Sequence, residues 1–187
     1  MRVIAGSARG RRLKGPRARA RASGPASVRP SSDLMRGAIF SSLASLGADM
    51  SRVLDLYAGS GALGIEALSR GAAWCDFVER DRSTCELIRE NLRLTGFEDQ
   101  ARVYRVTAEK ASEELRGPYT LVVADPPYED SAALRVLEVL SGSTLVEKGA
   151  TVLVVEHHSH HEPPKGLGPL SLTNSLRHGD SAVSIYR

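Results

Sequence analysis

The segment Val53-Leu54-Asp55-Leu56-Tyr57-Ala58-Gly59-Ser60-Gly61-Ala62-Leu63-Gly64 constrains the fold more than any other part of this chain. A short apolar run ends in glycines spaced G-x-G-x-x-G, and a helical pattern through Ile65 and Leu68 follows. That order lets a chain leave a strand, turn tightly past a ligand and enter a helix packed close to the strand. The rest of the sequence repeats the alternation. Trp74 to Glu79 reads as a strand, with Trp74 as core or edge packing. Ser83-Thr84-Cys85-Glu86 has the form of a capping box opening a helix that carries Cys85, Ile88 and Leu92 on one face. Strand 102–106, helix 109–115, strand 121–124, helix 132–140 and strand 151–155 follow, and two short strands around 174–180 suggest an antiparallel hairpin at the sheet edge. Upstream, Met35, Ala38, Ile39, Ser42, Leu43 and Leu46 recur at helical spacing, with Ser31 or Ser32 as the expected cap. Strands alternating with helices predict an α/β fold, a parallel sheet with helices on both faces. The continuous apolar runs Leu121-Val122-Val123-Ala124 and Val152-Leu153-Val154-Val155 agree with strands buried on both sides.

At 187 residues, 42% of them hydrophobic, the chain has material for one domain and an appendage. The apolar runs are too short to span a bilayer, and the opening residues lack the apolar stretch of a secretory signal. Two cysteines, one in a strand-like and one in a helix-like segment, argue against a disulfide framework. A cytoplasmic protein, monomeric and without a membrane partner, is expected.

Charge divides the chain. Residues 1–30 hold Arg2, Arg9, Arg11, Arg12, Lys14, Arg17, Arg19, Arg21 and Arg29 and no acid. Subtracting those nine from the 25 basic residues leaves 16 against 22 acids in residues 31–187. A basic arm on an acidic body suits a polyanion, without reading its sequence. Within the arm, residues 2–5 and 11–14 can pair as a hairpin, while 16–25 have little to bury. The expected division is a basic N-terminal hairpin and flexible arm, 1–30, and a catalytic domain, 31–187. The arm is expected to become ordered only on binding.

Glu79 ends the strand after the glycine loop, twenty positions beyond Gly59, where a carboxylate accepts hydrogen bonds from ribose hydroxyls. The spacing fits a dinucleotide and S-adenosylmethionine alike. Asp55, inside the strand, favours the second, because a pyrophosphate gains nothing from a further negative charge there.

Asp125-Pro126-Pro127-Tyr128 follows the strand at 121–124, at the end of the sheet where ligands bind in such folds. An exocyclic amine on a base is a poor nucleophile because its lone pair is delocalised. The Asp125 carboxylate and the Pro126 carbonyl can each accept one of its N–H bonds and aim the lone pair at an electrophilic methyl. Two prolines fix the backbone and bring no competing N–H, and Tyr128 offers a face for an unstacked base.

These motifs resemble the class I S-adenosylmethionine-dependent amino methyltransferases. With Arg2-Val3-Ile4-Ala5-Gly6, Arg29-Pro30-Ser31-Ser32-Asp33, Arg36 and Ile39-Phe40, they resemble the bacterial family that methylates N2 of guanine-966 in 16S ribosomal RNA. The resemblance runs from Met1 to about Glu156. It implies a Rossmann-like, seven-stranded, mostly parallel sheet with an antiparallel C-terminal hairpin and a basic N-terminal extension. It also implies cofactor contacts from Asp55, Tyr57, Ala58, Gly59, Gly61, Glu79 and Arg80, from Thr107 and Ala108 near the adenine, and from Ser31 and Ser32 near the methionine end. Thr107 and Gly37 stand where the family carries acids. The RNA, within the small ribosomal subunit or an assembly intermediate, is expected to meet Arg9, Arg11, Arg12, Lys14, Arg17, Arg19, Arg21 and Arg36. The target base must leave its stack to reach Tyr128.

Other readings remain open on the residues alone: a DNA amino methyltransferase, a nicotinamide-dependent oxidoreductase, or a non-catalytic RNA-binding module. His157-His158-Ser159-His160-His161 reads as a polar loop or an RNA-facing patch, since neighbouring side chains on an extended segment point apart, and no metal site is expected.

Overall fold

The computed structural model describes residues 1–15, 30–126 and 132–187. In chain order the elements are α1 (Pro30–Ser45), β1 (Arg52–Leu56), α2 (Ala62–Ser69), β2 (Trp74–Val78), α3 (Arg82–Thr95), β3 (Ala101–Tyr104), α4 (Ala111–Glu114), β4 (Leu121–Ala124), α5 (Ala133–Ser141), β5 (Val152–His158), β6 (Gly166–Leu167), β7 (Leu170–His178) and β8 (Ser181–Tyr186). Among the described residues, eight strands form one sheet in the order β3-β2-β1-β4-β5-β8-β7-β6. The first five are parallel, and β5, β8, β7 and β6 pair antiparallel.

Seven strands were expected, and the eighth is β6. It is two residues long and folds back on β7 through a turn that includes Gly168 at φ +55°. A strand that short leaves no alternation for a sequence to display, although it buries Leu167 against Leu170. The hairpin β7–β8 extends well beyond the short strands expected around 174–180.

Side-chain alternation along the strands builds two cores. Val53, Cys75, Phe77, Leu121, Val123, Val152 and Val154 face α1, α2 and α3 through Ile39, Leu43, Ile65 and Ile88. Leu54, Leu56, Val78, Val122, Leu153 and Val155 face the opposite side, covered by Ala111, Leu115, Val136, Leu137 and Leu140. The central strands are buried on both faces, which is why they read as unbroken apolar runs.

Three local expectations need correction. Helix α1 begins at Pro30, so Ser31 and Ser32 lie inside its first turn and neither precedes the helix as its cap. Proline suits that position, having no N–H to leave unpaired. Helix α3 begins at Arg82, capped by Asp81, whose carboxylate accepts from the Thr84 amide at 2.9 Å. Glu86 does not close a capping box but pairs with Arg82 at 3.2 Å. The helix expected at 109–115 is a 3₁₀ turn at Ala108–Lys110 followed by the single turn of α4.

The opening residues are part of the body. Arg2 bridges Arg12, the Val3 amide donates to the Arg11 carbonyl at 3.0 Å and the Leu13 amide to the Met1 carbonyl at 3.2 Å, forming the expected hairpin. Val3, Ala8 and Leu13 enter the first core. Glu66 on α2 accepts from the Ile4 and Ala5 amides at 2.8 and 3.0 Å. Residues 1–15 are therefore docked on the body; residues 16–29, with Arg17, Arg19 and Arg21, lie outside the described residues.

Candidate active site

β1 lies between β2 and β4, so the strand order reverses beside it. Leu56, the last residue of β1, pairs with Ala124, the last residue of β4. The glycine loop leaving β1 and the Asp125-Pro126 pair leaving β4 therefore stand side by side, at the position where such sheets bind ligands.

The loop is held from below. Asp55, only 1% exposed, accepts from the Gly64 amide at 2.8 Å. Burial pushes its carboxyl pKa well up; the Gly64 bond opposes this, while the charges of Asp125 and Glu79 add to it. Tyr57 turns the corner at φ +62°, a left-handed conformation uncommon for a side-chain-bearing residue and concentrated at functional sites. Gly59 and Gly61 follow at φ +53° and +78°. At Gly64 the constraint is space: an added Cβ would lie 2.4 Å from the Phe77 ring and 2.7 Å from Cys75 Sγ. This is the close helix-to-strand approach that the third glycine of the pattern supplies.

Glu79 closes the other side. One carboxylate oxygen accepts from the Gly59 amide at 3.1 Å and the other from the Asp81 amide at 2.9 Å. These bonds fix a half-buried carboxylate at the lip of a cleft of about 200 Å³. The cleft is lined by Tyr57, Val78, Glu79, Arg80, Val106, Thr107, Ala108, Glu109 and Asp125. Of the residues expected to meet cofactor or substrate, Tyr57, Glu79, Arg80, Thr107, Ala108 and Asp125 come together there. Asp55 is absent from the wall and acts on the loop's backbone. Asp125 is exposed at the end of β4, and Pro126 beside it is buried. Pro127 and Tyr128 lie outside the described residues, as do the side chains of Ser31 and Ser32.

Val78, Val106 and Glu109 line the cleft without having been singled out in the sequence. Glu109 had one available signal, its place two residues after Thr107. A side-chain hydrogen bond from Thr107 holds the Glu109 carboxyl below the usual range, its own backbone bond and Arg80 adding to this and slight desolvation opposing it.

The basic residues separate by place. Arg36, expected to reach RNA, is 3% exposed, paired with Asp33 at 2.8 Å and Glu66 at 3.6 Å, and donates to the Arg2 carbonyl. It is a buried tie between α1, α2 and the hairpin. Arg9, Arg11, Arg12 and Lys14 are exposed. Arg9 lies in the hairpin's tip, which docks on Ser69 at the end of α2 remote from the glycine loop. Arg11 donates to the Leu94 carbonyl near the end of α3, at 2.7 Å. Lys14 is tied to the glycine loop, since Asn91 donates both to its carbonyl, at 3.0 Å, and to the carbonyl of Ser60, at 2.9 Å, while its ammonium pairs with Glu90 on α3.

An open parallel sheet with an antiparallel end hairpin, a glycine loop clasped by the Glu79 carboxylate, and Asp125-Pro126 beside it define a class I methyltransferase. The family described as conserved hypothetical protein 95 matches residues 1–187, and the chain belongs to it. YlbH of Bacillus subtilis, named a candidate rRNA methyltransferase, is 35% identical over 190 residues, 100% of this chain and 98% of that protein. Ribosomal RNA small subunit methyltransferase D of Escherichia coli is 32% identical over 154 residues, 82% of this chain and 73% of that protein. The solved structure of Escherichia coli yhhF, named a candidate methyltransferase, superposes with a TM-score of 0.80 at 30% identity, over 100% of this chain and 96% of that one. The fold also extends to an RNA methyltransferase of Salinibacter ruber solved with S-adenosyl-L-homocysteine, at a TM-score of 0.59 and 18% identity, over 80% of this chain and 89% of that one.

Proposed function

We propose that this protein methylates the N2 amine of a guanine in 16S ribosomal RNA, the base customarily numbered 966, with S-adenosylmethionine as the methyl donor. Methylation of ribosomal RNA is the activity carried by the names of its relatives in Bacillus subtilis and Escherichia coli. The observation that carries the finer reading is the pairing of Leu56 with Ala124, which sets Asp125-Pro126 against the glycine loop.

The cleft fits the cofactor by its donor set. Glu79 supplies a fixed carboxylate for two vicinal ribose hydroxyls, and Val78, Val106 and Ala108 supply apolar contact for a base. Thr107 and Glu109 supply polar groups at the same wall. When bound, the sulfonium supplies an electrophilic methyl. The chain's task is then to hold and aim the amine.

Asp125 performs that task with the Pro126 carbonyl, each accepting one N–H so that the nitrogen lone pair points toward the cleft. In-line positioning of this kind can lower a barrier by roughly 7–11 kcal/mol. No strong base is required, because the methylated ammonium is acidic enough to lose its proton to Asp125 or to water. Tyr128 receives the flipped base, and Lys14 with the arginines of the arm holds neighbouring phosphates. The substrate is the small ribosomal subunit or an assembly intermediate, met by a cytoplasmic monomer.

Replacing Asp125 tests the assignment. Asp125→Ala should leave S-adenosylmethionine affinity within a few-fold of wild type while turnover on small-subunit RNA is lost. Equal loss of both would make Asp125 a support of the cleft and remove it from the chemistry.

A further inference from the structure

All five histidines of the chain, His157, His158, His160, His161 and His178, gather at one corner of the sheet. The cause is an overhang. β4 ends at Ala124 opposite Val155, while β5 continues through Glu156, His157 and His158, so β5 runs on past the strand end from which Asp125 leaves. Antiparallel pairing then sets His158 opposite Ser181, and Ser181 opposite His178. The turn after β5 adds the other two, closed by the His161 amide on the His158 carbonyl at 2.9 Å and the Ser159 amide on the Asp180 carbonyl at 2.8 Å.

The imidazoles form a surface. The rings of His158 and His160 stack with centroids 4.8 Å apart and Nδ1 atoms 3.1 Å apart, and the His161 ring lies 6.0 Å from His158. His157 is the half-buried root of the group, with Nε2 2.8 Å from Ser184 Oγ. His160, His161, His178 and Arg177 are exposed. Three acids, Glu156, Glu162 and Asp180, stand among them. Fixed charge therefore does not make this corner attractive to an anion. Imidazole N–H donors and flat ring faces are what it offers. Among the described residues, no group of three or more histidine, cysteine or acidic side chains is placed to hold a metal ion.

One ligand uses both properties of an imidazole. Unpaired RNA presents phosphates that accept N–H bonds and bases that stack on aromatic or histidine rings. We infer that this corner, past the strand end from which Asp125 leaves and on the opposite flank from Lys14, holds the unpaired nucleotides next to the target guanine. The inference rests on the proposed activity, and would give the RNA a second hold across the cleft from the N-terminal hairpin.

The test compares the full-length protein with the double substitution His160→Ala/His161→Ala and, separately, with Arg177→Ala, in methyl transfer to unmethylated small ribosomal subunits. The double variant should raise KM for the particle roughly fivefold or more, the lower end of what one stacked base contributes. Its melting midpoint and S-adenosylmethionine affinity should match wild type; Arg177→Ala should raise KM less. Wild-type transfer with an unchanged KM in the double variant overturns the corner's role and leaves the activity standing. A raised KM accompanied by equal loss of cofactor binding makes the corner structural and overturns it too. No transfer by the wild type overturns the activity, and this inference with it.

Discussion

Asp55 Oδ2 accepts a hydrogen bond from the amide of Gly64 at 2.8 Å, across nine positions of sequence. The bond joins the interior of β1 to the first turn of α2 and so fixes the span of the glycine loop between them. A carboxylate under the loop, and not one lining the cleft, thus sets the height at which Gly59 meets Glu79. That division of labour gives the two acids separable signatures.

Asp55 should reveal itself through pH. Burial raises its carboxyl pKa in the folded protein, so the folded state keeps a proton that the unfolded state has already lost. Folded molecules then bind more protons, and stability falls as pH rises from the usual carboxylate range through the folded value. Asp55→Asn retains an acceptor for Gly64 and cannot ionise. The melting midpoint of the variant minus that of wild type should therefore grow as pH rises above the usual carboxylate range of about 4. A difference that is flat or shrinks with pH would show that Asp55 carries no such penalty.

Glu79 should act on the cofactor. Glu79→Ala removes a carboxylate placed to accept two charge-assisted hydrogen bonds, each contributing about 1.5–3 kcal/mol. S-adenosylmethionine affinity should fall tenfold or more, with KM for the ribosomal particle little changed. Calorimetric titration gives the first quantity and steady-state kinetics the second; unchanged cofactor affinity would dissociate Glu79 from the ribose.

Gly64 tests the packing beneath the site. A Cβ there would lie 2.4 Å from Phe77 Cε1 and 2.7 Å from Cys75 Sγ. Over-packing of this kind costs roughly 1–3 kcal/mol, so Gly64→Ala should lower the melting midpoint by several degrees. Adding Phe77→Leu should recover part of that loss. A Gly64→Ala protein as stable as wild type would mean that α2 moves off β2 without penalty.

The strand–helix alternation, the glycine loop, Glu79 and Asp125 were legible because each depends on local pattern: period, turn chemistry and the end of an apolar run. Caps were less legible, since Asp81 and Ser83 are both competent and only the helix's starting turn decides between them. Long-range polar ties could not be read. Nothing near Glu66 in sequence says that it will accept from Ile4 and Ala5 and lie 3.6 Å from Arg36. Arg36 looked like a substrate contact because an arginine on an early helix turn is ordinarily exposed; the hairpin returning over α1 and α2 buries it.

That buried tie makes its own prediction. Glu66 is 1% exposed, and its removal leaves Arg36 paired with Asp33 but takes the acceptor from the Ile4 and Ala5 amides, at a cost of about 1–3 kcal/mol for a buried group left unpaired. Glu66→Ala should lower the melting midpoint and release the hairpin, so that trypsin cuts at Arg9, Arg11 or Arg12 faster than in wild type. Equal cleavage rates would mean that Val3, Ala8 and Leu13 dock the hairpin unaided.

The most direct measurement is transfer of labelled methyl from S-adenosylmethionine to unmethylated small ribosomal subunits, with naked ribosomal RNA and duplex DNA in parallel, followed by digestion and identification of the modified nucleoside. The account predicts label in N2-methylguanosine at a single 16S position, and none in DNA. Label in another nucleoside, label in DNA alone, or no label on any RNA would contradict it.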